Sequence, residues 1–272
     1  MSVFDFLELE EQVGQTWHRL AGSPASYPRH ADAAVLLAPL RAQLAVFFHA
    51  LGGDPALRVA ESAPRPSRHR LSWRQRLAVS QERMPEAKRD AEAVRLPPCI
   101  DCFPDRSLNR DLYFWLAAFL GEAPADEDAV SDDPLRADLG YLRGGAQTAE
   151  TICRRYPGLR EIYRQLCRAT LAMRPARRLP ATEAAMEAVL KHLLGASLPP
   201  DPRAQAILRA VRERPGAAAL PTPRGYRRLL PVPIWGNVEN AAPGKLRSGD
   251  VEPDDGSGEA QPEGRVFAAK RE

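Results

Sequence analysis

Lysine is nearly missing from this chain of 272 residues: of 38 basic residues only Lys88, Lys191, Lys245 and Lys270 are lysine, and the rest are arginine. Arginine keeps its charge at any working pH and forks onto carboxylates, so an arginine-rich face suits acidic partners. The net charge is only +3, far from the footprint of a dedicated nucleic-acid binder. No apolar run reaches the roughly 18 residues of a spanning helix, which excludes that kind of membrane segment. The opening stretch holds Asp5, Glu8, Glu10 and Glu11 where a secretory signal needs a basic flank, so the expectation is a cytoplasmic protein. Four irregularly spaced cysteines are too few for a disulfide framework.

Reactive constellations are equally scarce. Cys99-Ile-Asp-Cys102 has metal-like spacing, but zinc wants four ligands, and Cys153 and Cys167 lie far along the chain on expected helices. Prolines flank the motif, where a redox pair needs a strand before it and a helix starting at its first cysteine. His18, His30, His49, His69 and His192 are scattered, with no pair at helical spacing. No nucleophile elbow, zincin helix or phosphate-binding loop is present. The expectation is a protein that is not an enzyme, with no cofactor and no metal.

What is present is helix, punctuated by 26 prolines, about twice the usual share of roughly 5%. Phe6, Val13, Trp17 and Leu20 form one helical stripe. Ala33 to Leu51 reads as a core helix stopped by Gly52-Gly53. Residues 63–76 carry Arg65, Arg68, Arg70, Arg74 and Arg76 with no acid between them. With Trp73 they could grip phosphates and stack on bases, but a solvated loop with one anchoring tryptophan is the favoured reading. Val94 and Leu96 alternate with charge, predicting a short strand or hairpin near 88–96. Residues 104–121 predict a helix capped by Asp105 or Ser107 and ended by Gly121. Its Trp115 and Phe119 face the core, and its first-turn Arg106, Asn109 and Arg110 are left open to solvent or a partner.

Four further helices follow, through Leu139–Ile152, Leu159–Met173, Met186–Leu194 and Ile207–Val211, separated or interrupted by Gly144-Gly145, Pro157-Gly158, Pro180 and Pro199-Pro200. Leu220 to Gly236 is too rich in proline for helix and reads as an extended arm pinned by Tyr226, Leu229, Leu230, Ile234 and Trp235. From residue 237 apolar residues run out, and Asp250 to Glu263 is acidic among Gly, Ser and Pro. The expectation is a mainly α protein, with a helical domain over 1–236 and a disordered acidic linker or tail over 237–272.

Several stretches, above all Phe103-Pro-Asp-Arg-Ser-Leu-Asn-Arg-Asp-Leu-Tyr-Phe-Trp-Leu-Ala and Leu230-Pro-Val-Pro-Ile-Trp-Gly, resemble the NorD family of nitric oxide reductase activation proteins, which is related to the CbbO subunit of a Rubisco activase. The resemblance runs in order over about residues 3–236. It implies a non-enzymatic adaptor that works with a hexameric MoxR-type AAA+ ATPase to mature a metalloenzyme target, nitric oxide reductase or, in the CbbO case, Rubisco. The family's C-terminal half is a von Willebrand factor A domain with a D-x-S-x-S metal site, and no residue here inherits those ligands, so the chain reads as the N-terminal half alone. The arginines around 63–76 and 203–228 are then the expected contacts to acidic partner surfaces. Arg68, Arg70, Arg74, Arg106, Asn109, Arg110, Arg227 and Arg228 are the candidate partner-binding residues, with nucleic-acid binding through the same arginines as the competing class.

Overall fold

The structure, a computed structural model, describes residues 25–72, 75–76, 82–124, 131–213 and 220–239. The expected N-terminal helix over 3–20 and the acidic stretch beyond 239 lie outside them. Among the described residues the fold is mainly α, with six α-helices and eight short strands. The helices are α1 (Arg41–Ala50), α2 (Arg106–Glu122), α3 (Pro134–Arg155), α4 (Leu159–Met173), α5 (Ala181–Leu193) and α6 (Pro202–Arg212). No helix among these residues is long and apolar enough to cross a membrane.

Helix α2 is the hub. Asp105 accepts the Ser107 N–H at 2.7 Å and so starts the helix, as an N-cap should. Leu112, Tyr113, Trp115, Leu116, Phe119 and Leu120 are all buried, because α1, α3 and α4 pack around one side and small strands around the other. The helix runs through Gly121, the expected stop, and ends at Glu122. There Arg89 reaches over and donates to the carbonyls of Leu120, Gly121 and Ala123, which the last turn leaves without helical partners.

Helix α3 also outlasts its expected break. Asp133 caps it through the N–H groups of Leu135 and Arg136, with Pro134 at its first position. It then passes uninterrupted through Gly144-Gly145, because Gly145 answers a packing need and breaks nothing. A Cβ at that position would lie 2.5 Å from the ring of Trp235. The core helix expected over 33–51 is shorter than its apolar pattern. Two 3-10 turns (Ala31–Ala33 and Ala38–Leu40) and a two-residue strand come first, and the α-helix begins only at Arg41, past Pro39. Leu37, Leu44 and Phe48 are buried, but Val46 is 71% exposed. Gly52, with φ of 88°, turns the chain out of the helix, as expected.

The strands are β1 (Val35–Leu36), β2 (Arg58–Glu61), β3 (Pro64–Pro66), β4 (Arg83–Pro85), β5 (Lys88–Arg89), β6 (Ala93–Leu96), β7 (Cys99–Ile100) and β8 (Asn237–Val238). β5 and β6 form the expected hairpin at 88–96, in which Asp90 turns the chain by accepting the N–H groups of Glu92 and Ala93. β2 flanks β6 and β8 flanks β5, both in parallel, giving the order β2-β6-β5-β8. β1 pairs with β7 and β3 with β4, each antiparallel. Within the segment 63–76 expected as a solvated loop, Pro64–Pro66 are exposed but paired as β3, and His69 is buried and bridges to Arg228.

Residues 220–236 contain no helix, and Tyr226, Leu230, Val232, Ile234 and Trp235 are buried. Trp115 stacks on Tyr163 with ring centroids 4.4 Å apart and donates its indole N–H to the Ile234 carbonyl at 2.7 Å. The described fold continues to Glu239, which pairs with Lys88 at 2.9 Å and with Arg65.

Candidate docking site

Segment 220–231 is held against α3 and α5 largely by ions. Asp138 on α3 accepts from Tyr226 Oη (2.7 Å), Arg228 Nε (3.0 Å) and the Leu229 N–H (2.8 Å). Glu183 on α5 takes both arms of Arg70, at 2.7 and 2.6 Å, and the Arg227 N–H at 3.1 Å. One turn further along, Glu187 takes the fork of Arg174 at 2.6 and 2.8 Å. Arg174 is buried and also donates to the Leu230 carbonyl and to Tyr27 Oη, which itself donates to the Pro231 carbonyl. Burial pushes the Tyr27 phenol up to about 12, so it stays a neutral donor at neutral pH. Each carboxylate is met by a fork or by several N–H donors, which is what allows charges to sit in a low-dielectric interior.

Beside this seam is a small, shallow cleft, walled by the chain after α4, the start of α5 and residues 226–230. Arg70, Arg174, Arg177, Arg227 and Arg228 line it against only Glu183 and Glu187, so its face is positive. Below it lies a buried polar cluster. Ser26 Oγ donates to Glu82 and accepts from Arg177 (2.7 Å) and Gln75 (3.1 Å), and His69 Nε2 lies 2.9 Å from it. Ser, His and Glu together resemble a hydrolytic triad, but the wiring is wrong. Glu82 sits on the Nε2 side at 3.2 Å, while Nδ1 faces Ser67 Oγ at 2.6 Å, so no carboxylate orients the ring from behind. Ser26 Oγ is also crowded by donors and buried. The cluster is a tie between distant segments.

The structure gathers Arg70, Arg227 and Arg228 on the one cleft. Arg70 and Arg228 are engaged in internal ion pairs, and the Arg227 side chain is exposed. Arg68, Arg106 and Arg110 are exposed elsewhere, Arg110 lying over the Phe114 ring at 5.3 Å. Arg74 falls outside the described residues. Asn109 is a correction: it is not open to a partner but fully buried. Its amide donates to the Ala33 and Phe103 carbonyls at 2.9 and 2.8 Å, and its oxygen accepts the Phe103 N–H at 3.0 Å. The residues that sequence reasoning missed are Arg174, Arg177, Glu183 and Glu187. The glutamates, four apart, share a helical face, and Arg174 and Arg177 sit in the connector just before it; that spacing was the available signal.

Burial raises the Cys102 thiol to about 12 and raises Cys99 as well, the direction opposite to an activated thiolate. Among the described residues no group of three or more His, Cys, Asp or Glu side chains is placed to hold a metal.

Known proteins match along nearly the whole of this sequence. Those named NorD from Brucella abortus and Brucella suis are each 43% identical to it over 262 residues, which is 92% of this chain. The chain is similar to NorD. A protein of that name from Stutzerimonas stutzeri is 30% identical over 230 residues, 84% of this chain. The chain spans only 38% of the length of the Brucella NorD proteins and 32% of the Stutzerimonas NorD. No family model matches it, and no solved structure matches it.

Proposed function

We propose that this chain is the docking part of a NorD-type accessory protein that works with a MoxR-type AAA+ ATPase hexamer to activate or mature nitric oxide reductase, and that it carries out no catalysis itself. The observation that carries the reading is the 43% identity over 92% of the chain to the Brucella NorD proteins. The geometry supports it: a helical body braced by buried ion pairs presents a positive cleft, and positive clefts steer and orient acidic partners. Its energy source is the partner motor, and its own contribution is a fixed surface. The reading is tested by mixing the purified chain with the MoxR-type ATPase of the same organism. Co-elution on size exclusion and faster ATP turnover are expected. Separate elution with unchanged turnover would overturn it.

A further inference from the structure

Three guanidiniums of the cleft are matched by carboxylates: Arg70 by Glu183, Arg174 by Glu187, and Arg228 by Asp138. Two are not. Arg177 spends its N–H groups on neutral oxygens, the Arg70 carbonyl at 2.8 Å and Ser26 Oγ at 2.7 Å. Arg227 bonds Glu183 only through its backbone N–H, and among the described residues its exposed side chain makes no ion pair. Arg177 is half-buried, and burial together with the adjacent Arg174 charge holds its pKa below the usual arginine value. Glu82 and Glu187 lie near enough to favour its charge but form no ion pair with it, and a desolvated cation without a direct counter-ion carries an electrostatic cost that an incoming anion relieves.

We infer that the mouth of this cleft is a carboxylate subsite in which Arg177 and Arg227 receive an Asp or Glu side chain from an acidic segment of a protein partner. The partner's identity rests on the docking role proposed above; the subsite does not. A single carboxylate fits better than a phosphate dianion, because Glu183 and Glu187 also line the cleft and would repel the second charge. Pro175, Leu179 and Leu229 add apolar wall against which the methylenes of a glutamate can lie, as a hydrated phosphate cannot. The same cleft already holds two glutamates in arginine forks, so the chemistry required at its mouth is the chemistry in use just inside it.

The test is fluorescence anisotropy with a short labelled poly-glutamate peptide and the purified chain. Saturable binding that weakens with added salt is expected. Arg227→Gln should weaken it about tenfold, the worth of one charge-assisted contact, and Arg177→Gln by at least as much, while Arg168→Gln on the exposed side of α4 leaves it unchanged. Among the described residues the Arg227 side chain holds nothing internal, so its variant keeps its melting temperature and remains interpretable even if Arg177→Gln fails to fold. Equal affinity in wild type and Arg227→Gln overturns the inference, as does inorganic phosphate displacing the peptide at lower concentration than free glutamate. If the peptide result holds and the ATPase does not co-elute, the docking role fails and the subsite stands. If the ATPase co-elutes equally with wild type and Arg227→Gln and the peptide does not bind, only the subsite fails.

Discussion

The ring of Trp235 lies where a side chain at Gly145 would begin, 2.5 Å from an ideal Cβ. The contact joins the middle of α3 to a residue 90 positions later, and Tyr141, one turn earlier, meets the same indole edge-on at 5.6 Å. Gly145→Ala gains helix propensity of about 1 kcal/mol but forces the indole out of a filled core, which costs about 1–3 kcal/mol or more. A lower melting temperature is expected. Gly158→Ala, where a Cβ meets nothing within 4 Å, should leave it unchanged.

Arg174 ties Tyr27, Glu187 and the Leu230 carbonyl together from a buried position. Arg174→Ala leaves the Leu230 carbonyl without a partner and the mostly buried Glu187 carboxylate with only Lys191, at 3.7 Å, and a loss of about 3 kcal/mol in urea unfolding is expected. Added to Glu187→Gln, the second substitution should cost much less than it does alone, since both remove one interaction.

Asn109 and its neighbours Arg106 and Arg110 divide cleanly. Asn109→Ala strands the Ala33 and Phe103 carbonyls inside the protein and should cost about 2–6 kcal/mol, at roughly 1–3 for each group left unsatisfied. Arg106→Ala, exposed, should stay within about 0.5 kcal/mol, and Arg110→Ala within about 1 kcal/mol, since it loses only its contact with the Phe114 ring. Chemical denaturation of the three variants checks the contrast.

Burial works to raise the Glu82 carboxyl, but hydrogen bonds from His69 and Ser26 outweigh it and hold it below its ordinary 4.5. An acid depressed in the folded state contributes stability that is complete above the unfolded value and is lost as pH falls through the folded one. The melting temperature should therefore drop as pH falls below about 4.5. Glu82→Gln should be less stable at neutral pH and should show a shallower acid limb in a pH series of thermal melts.

The long helices were legible because their apolar stripes keep one phase and, at Asp105, because the start is written locally; Asp133 and Asp201 cap the N–H groups just after them in the same way, but those two helices were read only from Leu139 and Ile207 onward. The small sheets were not. β2 reads Arg-Val-Ala-Glu with only Val59 buried, and its parallel partner β6 lies some thirty-five residues on, so neither pattern nor proximity announces the pair. Arginine was the hardest residue to place, since a charge in sequence looks the same whether it meets water or a carbonyl. Arg143 donates to the Ala210 and Val211 carbonyls at the end of α6 from a buried site, and its only local hint was standing in phase with Leu139 and Ala146. Asn109 misled for the opposite reason: its two bonded neighbours in chain order, Cys102 and Phe103, look like the loop before a helix, while its third, Ala33, is remote.

The Ile234 carbonyl that receives the Trp115 indole, and the β8 strand that flanks β5, are among the last described residues of the chain. A nascent chain emerging from the ribosome therefore holds the central tryptophan ready long before its acceptor exists. The interior can close only after Ile234 and Trp235 have left the exit tunnel, and until then the unfinished helices present apolar surface.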